Sequence, residues 1–580
     1  MLLVLLVLLV LLAGAAIPIA LQLSQVRQDI QDGHLTKAGA RYCLWITYNK
    51  RKHLFGISSI TGPAAQVLSD AGNHFLQLPA LEELSDVPGH VALAKTLSQQ
   101  SILGLPNLKS LSAAAARELA QHSSPLYLPA ITSLSDEAAE ALSHLERDLY
   151  LIALEELSDG PGDVALAKKL GQSRQVNYPG LKSLSTAAAE QLTQTPKRLH
   201  LLRLPALTSL SAATAEALSQ PGGPSLHLTG VTSLPVEVAE AFSQHERVLV
   251  LGLTSLPTAT AEALSHRRGP LELPSLTSLS PAAAEALIHL GEKTRSESLS
   301  LDGLTTLSAA TAEVLSRHEG SLSFGGLHSL SVESAVALSH HKRSLQFPGL
   351  KSLSVESAAA LILHEGHRID LGLKMLPDAL AEVLSQFEGQ LVLRALEQLS
   401  DGPGHLALAR KLAANHSGSL DSLKSASDAA AQELSRSGGR IFLPALEELS
   451  DGPGHLALAR KLCQERWPSF VALKSLSPAA AAVLSQIDGD LSLPSLTSLS
   501  DASAEALSHH EHGDLMLHGL TSLSETAAES LSQHDGEIWL DSLRVLSDAA
   551  AEALSTHRNL VNLHNVPESA RAILRKAGHR

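Results

Sequence analysis

Leu491–Asp514 reads L-S-L-P-S-L-T-S-L-S-D-A-S-A-E-A-L-S-H-H-E-H-G-D, and residues 515–537 follow as L-M-L-H-G-L-T-S-L-S-E-T-A-A-E-S-L-S-Q-H-D-G-E. The pattern recurs at 271, 299, 322 and 345, and with more drift back to about residue 54, for about 22 copies. A fixed period of roughly 20 to 50 residues is the signature of a solenoid. Each unit opens with L-x-L, the alternation of a strand with one buried face. Apolar residues then fall at three-residue steps, as in Leu273, Leu276 and Leu279. That step does not fit a strand and predicts an inward-turning loop. Ser280 follows, a favoured N-cap because its hydroxyl accepts a free N–H of the first helical turn. Proline replaces it at Pro235, Pro257 and Pro377, suiting a first turn whose N–H is unpaired anyway. An Ala-rich run such as Ala282–Leu287 predicts a short helix. Gly320, Gly366, Gly513 and Gly536 are placed as its stop signals.

One such unit cannot bury its leucines alone, whereas stacked units can. Strands stack about 4.8 Å apart and helices about 10 Å, so the stack should curve with its sheet inside. The unit resembles the leucine-rich-repeat family over roughly residues 54–566. The resemblance implies an α/β horseshoe or superhelix, with a parallel β-sheet on the concave face and short α-helices on the convex face. It also implies a binding surface in place of an active site. One feature departs from the family. Asparagine or cysteine is expected three residues after the second strand leucine, and this chain has Leu108, Leu207, Leu276 or Leu496 there. No asparagine ladder can form, and hydroxyls such as those of Thr277, Ser278 and Ser280 are expected to substitute. The Ala-rich helices make the chain similar to bacterial variants of the family.

A length of 580 residues gives a prior of about four globular domains, which the repeat overrides. The net charge of −15 argues against nucleic acid, which calls for a basic stripe. Cys43 and Cys463 form no framework spacing and read as two buried thiols.

Residues 1–21 carry no charged side chain, and a helix of that length spans about 30 Å, a bilayer core. The expectation is a single-pass N-terminal membrane anchor within 1–25. The alternative is a signal peptide cleaved near Ala13-Gly14-Ala15, which would leave a secreted or periplasmic protein. Residues 26–53 read as a linker and N-terminal cap, with Trp45, Ile46 and Tyr48 covering the first coil. Residues 567–580 read as a basic capping helix, started by Pro567 and stopped by Gly578.

Most units run 22 to 24 residues, but four run 27. The long ones share an insert: D-V-P-G-H at 86–90, D-G-P-G-D at 159–163, and D-G-P-G-H at 401–405 and 451–455. Neither a phosphate loop nor a calcium loop is complete there, so the insert reads as a longer strand-to-helix corner. His122, His245, His318, His341, His364, His510, His534 and His557 form one ladder near the helix ends. They read as surface residues capping terminal carbonyls and not as a metal site. Replacing His318, His341 and His364 should then change stability by under about 1 kcal/mol.

The chain lacks G-x-S-x-G, H-E-x-x-H and C-x-x-C, and every Ser/His/Asp set lies in repeating positions. The expectation is a non-enzymatic scaffold that binds a protein partner and has no cofactor. The alternatives are a polysaccharide-binding or structural envelope protein, or a spacer. The middle residue of L-x-L should point from the core onto the concave face. Aromatics make up only 3% of the chain, yet Tyr127, Tyr150, Phe442 and Trp539 stand on this strip. Arg203 and Met516 join them as candidate partner-binding residues. The serine-rich middle of the strip reads as plainer.

Overall fold

In the repeat at 271–288, Leu271, Leu273 and Leu276 of the strand and loop are fully buried, and so are Ala283, Ala284 and Leu287 of the helix Pro281–Leu287. The helix has seven residues, too short to persist alone. Burial of side chains such as its leucine, each contributing about 1.5–3 kcal/mol, holds it in place. The Ser280 hydroxyl accepts the Ala283 N–H at 3.1 Å, and the same serine bond starts most of the repeat helices, including those after Ser112, Ser331, Ser477 and Ser547. Pro235, Pro257 and Pro377 occupy the cap position itself, not the first turn, and make no side-chain cap bond.

The structure is a computed structural model that describes residues 25–46, 56–71, 76–100, 103–172, 175–194, 200–267, 269–288, 298–414, 420–465, 468–511, 513–557, 559–561 and 565–579. The repeats form two compact units, Met1–Leu276 with His289–Glu297, and Thr277–Ile288 with Ser298–Arg580. In the first, strands Gln175–Asn177, Leu201–Arg203, Ser225–Leu228, Leu249–Leu251 and Leu271–Glu272 pair in sequence order, all parallel. Leu126–Tyr127 pairs likewise with Leu149–Tyr150. In the second, one parallel ladder runs from Leu299–Ser300 through Leu322–Ser323, Leu345–Phe347 and Arg368–Leu371 to Gln390–Val392. Another joins Leu491–Ser492, Leu515–Met516, Ile538–Trp539 and Leu560–Val561.

The loop expected after L-x-L is partly strand. Just before the helices, two-residue segments pair in parallel with their counterparts one coil on: Glu83–Leu84 with Ser110–Leu111, Glu156–Leu157 with Ser183–Leu184, and Glu448–Leu449 with Ser475–Leu476. The backbone groups of this corner are thus satisfied by the neighbouring coil, which an isolated unit does not reveal. The N-terminal region adds one more such pair: His34–Leu35 lies parallel to Ser59–Ile60, followed by the helix Lys37–Ile46. The side chains of Trp45, Ile46 and Tyr48 lie outside the described residues.

The glycine stop signals have a different cause from the one expected. The described positive-φ glycines are Gly33, Gly222, Gly489 and Gly578, so of the glycines expected as stops only Gly578, after the terminal helix Glu568–Lys576, is left-handed. At Gly366 a Cβ would lie 2.3 Å from the Arg343 carbonyl oxygen, and at Gly536 2.4 Å from that of Gly513. These positions need glycine because successive coils touch there.

The membrane anchor expected at the N-terminus is corrected. Residues 1–21 lie outside the described residues, and among the described residues no helix is long and apolar enough to cross a membrane. Cys43 is buried as expected and Cys463 only half-buried; burial pushes the Cys463 thiol up to about 12.

Candidate functional site

The alternation of L-x-L sets the strand face. Leu126, Leu128, Leu149 and Leu151 point into the core, and Tyr127 and Tyr150 point out, 49% and 37% exposed. The two tyrosines are in register on adjacent parallel strands, and their rings stack at 4.4 Å between centroids and 3° from parallel. Burial, then the adjacent Tyr127 and Asp148, raise the Tyr150 phenol above its ordinary value. Ile152, in the turn two residues past Tyr150, is 44% exposed and adds apolar area near it. It was not among the expected residues, because strand alternation ends before the turn that holds it. On the other flank of Tyr127 stands Gly104, bridged to it backbone to backbone, where even a Cβ would meet nothing within 4 Å. Tyr178 turns inward and is buried.

The remaining strip residues are distributed between the two units. Arg203 is exposed on its strand, in register with Asn177 and His227. Phe442 is 48% exposed in the second unit. Met516 and Trp539 are in register there but half-buried. The Trp539 ring meets the edge of His518 at 5.9 Å, and His518 Nδ1 lies 2.6 Å from Asp541 Oδ2. Val250 and Val392 belong to the strip by sequence yet are buried; Val250 is a short side chain between His227 and Glu272. The serine-rich middle is a bonded cluster. Ser300 and Ser323 each donate to the Asp302 carboxylate at 2.7 Å.

The 27-residue units carry their own pairing. Each places a glutamate before its second strand, and the next coil supplies a lysine: Glu82 with Lys109 at 2.9 Å, Glu155 with Lys182 at 2.6 Å, Glu397 with Lys424 at 2.7 Å, Glu447 with Lys474 at 2.9 Å. These pairs are largely exposed, so solvent screening leaves them little weight in stability. The inserts are corners docked on the preceding helix. Asp428 Oδ1 accepts from the Gly454 and His455 N–H groups at 2.9 and 3.0 Å. A Cβ at Gly454 would lie 1.8 Å from the Asp428 carbonyl oxygen. His455 is buried, its Nε2 2.8 Å from the Ala426 carbonyl oxygen, and its Nδ1 accepts the Ser450 N–H at 2.9 Å. His90 and His405 make the same two contacts.

The histidine ladder is not on the surface. All eight members are buried. His341 and His364 stack at 6.0 Å, His510 and His534 at 5.9 Å, and His534 and His557 at 6.3 Å between centroids. Nδ1 of His341 lies 3.2 Å from the Ser316 carbonyl and that of His510 3.0 Å from the Ser485 carbonyl. Each therefore caps the helix end of the preceding coil, the chemistry expected, but from inside the stack. Burial pushes His341 down to about 4; burial and the neighbouring Arg267 push His245 to about 3. Among the described residues no three His, Cys, Asp or Glu side chains gather as a metal would require.

No protein-family model and no curated relative matches the chain. Among solved structures it is similar to the Toll chain of the Drosophila Toll–Spatzle complex, at 14% identity and a TM-score of 0.35 over 77% of this chain, spanning only 60% of that one. It is also similar to an internalin from Listeria monocytogenes, at 12% identity and a TM-score of 0.25, over 68% of this chain and 88% of that one. A leucine-rich-repeat protein from Leptospira interrogans matches at 16% identity and a TM-score of 0.21, over 86% and 98%. The chain's own geometry carries the fold: with a leucine-patterned period, a short parallel strand and a short helix in each repeat, a second short strand in several, and repeat-to-repeat register, it is an α/β solenoid of the leucine-rich-repeat type.

Proposed function

We propose that the chain is a non-enzymatic protein-interaction scaffold that receives its partner on the strand face, centred on Tyr127 and Tyr150. The stacked, exposed tyrosine pair carries this reading. Aromatic side chains dominate binding hot spots because they bury large area at little conformational cost. Here the strand backbones fix both rings before any partner arrives, so little ordering remains at binding. Ile152 supplies apolar area beside them, and Arg203 and Asn177 form a polar edge on the following coils. Phe442, Met516 and Trp539 would serve as separate contacts in the second unit.

The test is quantitative capture from a lysate of the source cells, with wild type and Tyr127→Ala/Tyr150→Ala run side by side. A protein retained by wild type and lost by the variant is then purified and its affinity measured. The double substitution should weaken it by at least about 2 kcal/mol. Retention of every captured protein by the variant rejects the site. Capture of polysaccharide instead, lost in the same variant, makes the stack a sugar platform.

A further inference from the structure

The helix face of the second unit carries a regular acidic position. Glu285, Glu313, Glu382, Glu505, Glu529 and Glu552 occupy one register place, and each is exposed. In two successive repeats that place holds Val336 and Ala359. The departure is not confined to one residue per helix. Val332, Val336, Val355 and Leu363 are 39%, 48%, 37% and 72% exposed. Val332 and Val336 lie four residues apart on the helix Val332–Ser339, so they share a face. Val355 and Ala359 do the same on the helix Val355–Leu361, which packs beside it. Leu363 stands where Arg317 and His340 stand in neighbouring repeats. Where Ala482 takes the same register place, no large exposed apolar side chain accompanies it on its helix.

An isolated exposed valine needs no explanation, but a contiguous patch marks an interaction site. Glu333 and Glu356 stand exposed at the starts of the two helices, and Glu313 and Glu382 on the helices either side. Lys342 and Arg343 lie beyond the helix end. The geometry points to a second docking surface, formed by Val332, Val336, Val355, Ala359 and Leu363, for an amphipathic helix of a partner protein whose aliphatic stripe is bordered by lysine or arginine. The shallow row between two parallel helices takes the stripe, and the surrounding carboxylates meet the basic border.

The probe is a synthetic helical peptide of leucine and lysine in amphipathic order, titrated by calorimetry into the full chain at physiological ionic strength. Val336→Glu/Ala359→Glu restores the residue that six other repeats carry, so its melting temperature should match wild type. Wild type should bind one peptide, and the variant should bind at least about tenfold more weakly through lost apolar burial. Attraction by charge alone predicts the opposite, because the variant gains two carboxylates; equal or tighter binding overturns the proposal. Leu363→Arg, copying Arg317, should weaken binding as well and guards against misfolding of the first variant. A concentration-dependent dimer abolished by either variant would assign the patch to a second copy of the chain. Binding to phosphatidylcholine vesicles abolished by either would assign it to a lipid surface. Either result overturns the peptide partner. Tyr127→Ala/Tyr150→Ala should leave peptide binding unchanged, so this surface stands or falls apart from the strand face.

Discussion

The buried histidine column makes an acid-stability prediction that can be worked through at His341. The ring is fully buried, its Nδ1 faces the Ser316 carbonyl, and it stacks on His364. Burial first, with His364 and His318 as further opposing groups, lowers its pKa from 6.5 to about 4. The folded state then binds fewer protons than the unfolded state below pH 6.5. Full stability is present above that pH and is lost as the pH falls toward 4. At pH 5 the loss from this one residue is about 2 kcal/mol, from about 1.4 kcal/mol per pH unit. His341→Phe removes the titration and keeps the stack, since Phe387 already occupies the ladder place one coil beyond His364 and stacks on it at 6.3 Å. The variant loses the bond to Ser316, about 1 kcal/mol. It should therefore be less stable than wild type at pH 8 and more stable at pH 5, by about 1 kcal/mol each way. Native-state hydrogen exchange of the helix Val332–Ser339 reads the local opening free energy at both values. Parallel pH dependence of the two proteins, with no crossing, would mean that His341 does not titrate in this way.

Further substitutions probe the same stack. His318→Ala/His341→Ala/His364→Ala should cost more than about 3 kcal/mol at pH 8, because three buried rings leave cavities; a shift as small as a surface change would return the ladder to the exterior. Gly454→Ala drives a Cβ into the Asp428 carbonyl and should lower stability by about 3 kcal/mol or more, whereas Gly104→Ala, with open space around it, should melt like wild type. Ser477→Ala removes the cap bond to the Ala480 N–H and should cost about 1 kcal/mol in urea denaturation.

The repeat made one unit legible. Leu271, Leu273 and Leu276 read as inward, Ser280 read as a cap, and Tyr127 and Tyr150 read as outward neighbours because period-2 alternation and a fixed repeat leave no freedom in either. What stayed hidden depends on contact between units. The second short strand at Glu83–Leu84 exists only through its pairing with Ser110–Leu111. Gly366 looks like a helix stop until the Arg343 carbonyl of the previous coil is placed against it. Histidine's polarity argued for the surface, but Nδ1 of His341 finds a carbonyl one coil away, which offsets part of the penalty of burial. Helix-face valines at 332 and 336 were visible as letters, yet their meaning needed the exposure of the matching helix beside them. Residues 1–21 invited a membrane reading from apolarity alone, and the described residues contain no helix that supports it.

The strand-face claim is tested most directly by placing a photoreactive p-benzoylphenylalanine at position 127, and separately at the exposed helix-face position 140 of the same unit, and irradiating each in a lysate of the source cells. A partner held on the strand face gives a discrete protein crosslink from position 127, suppressed by added unlabelled wild-type chain and absent from position 140. A crosslink from position 140 with none from position 127 would contradict it.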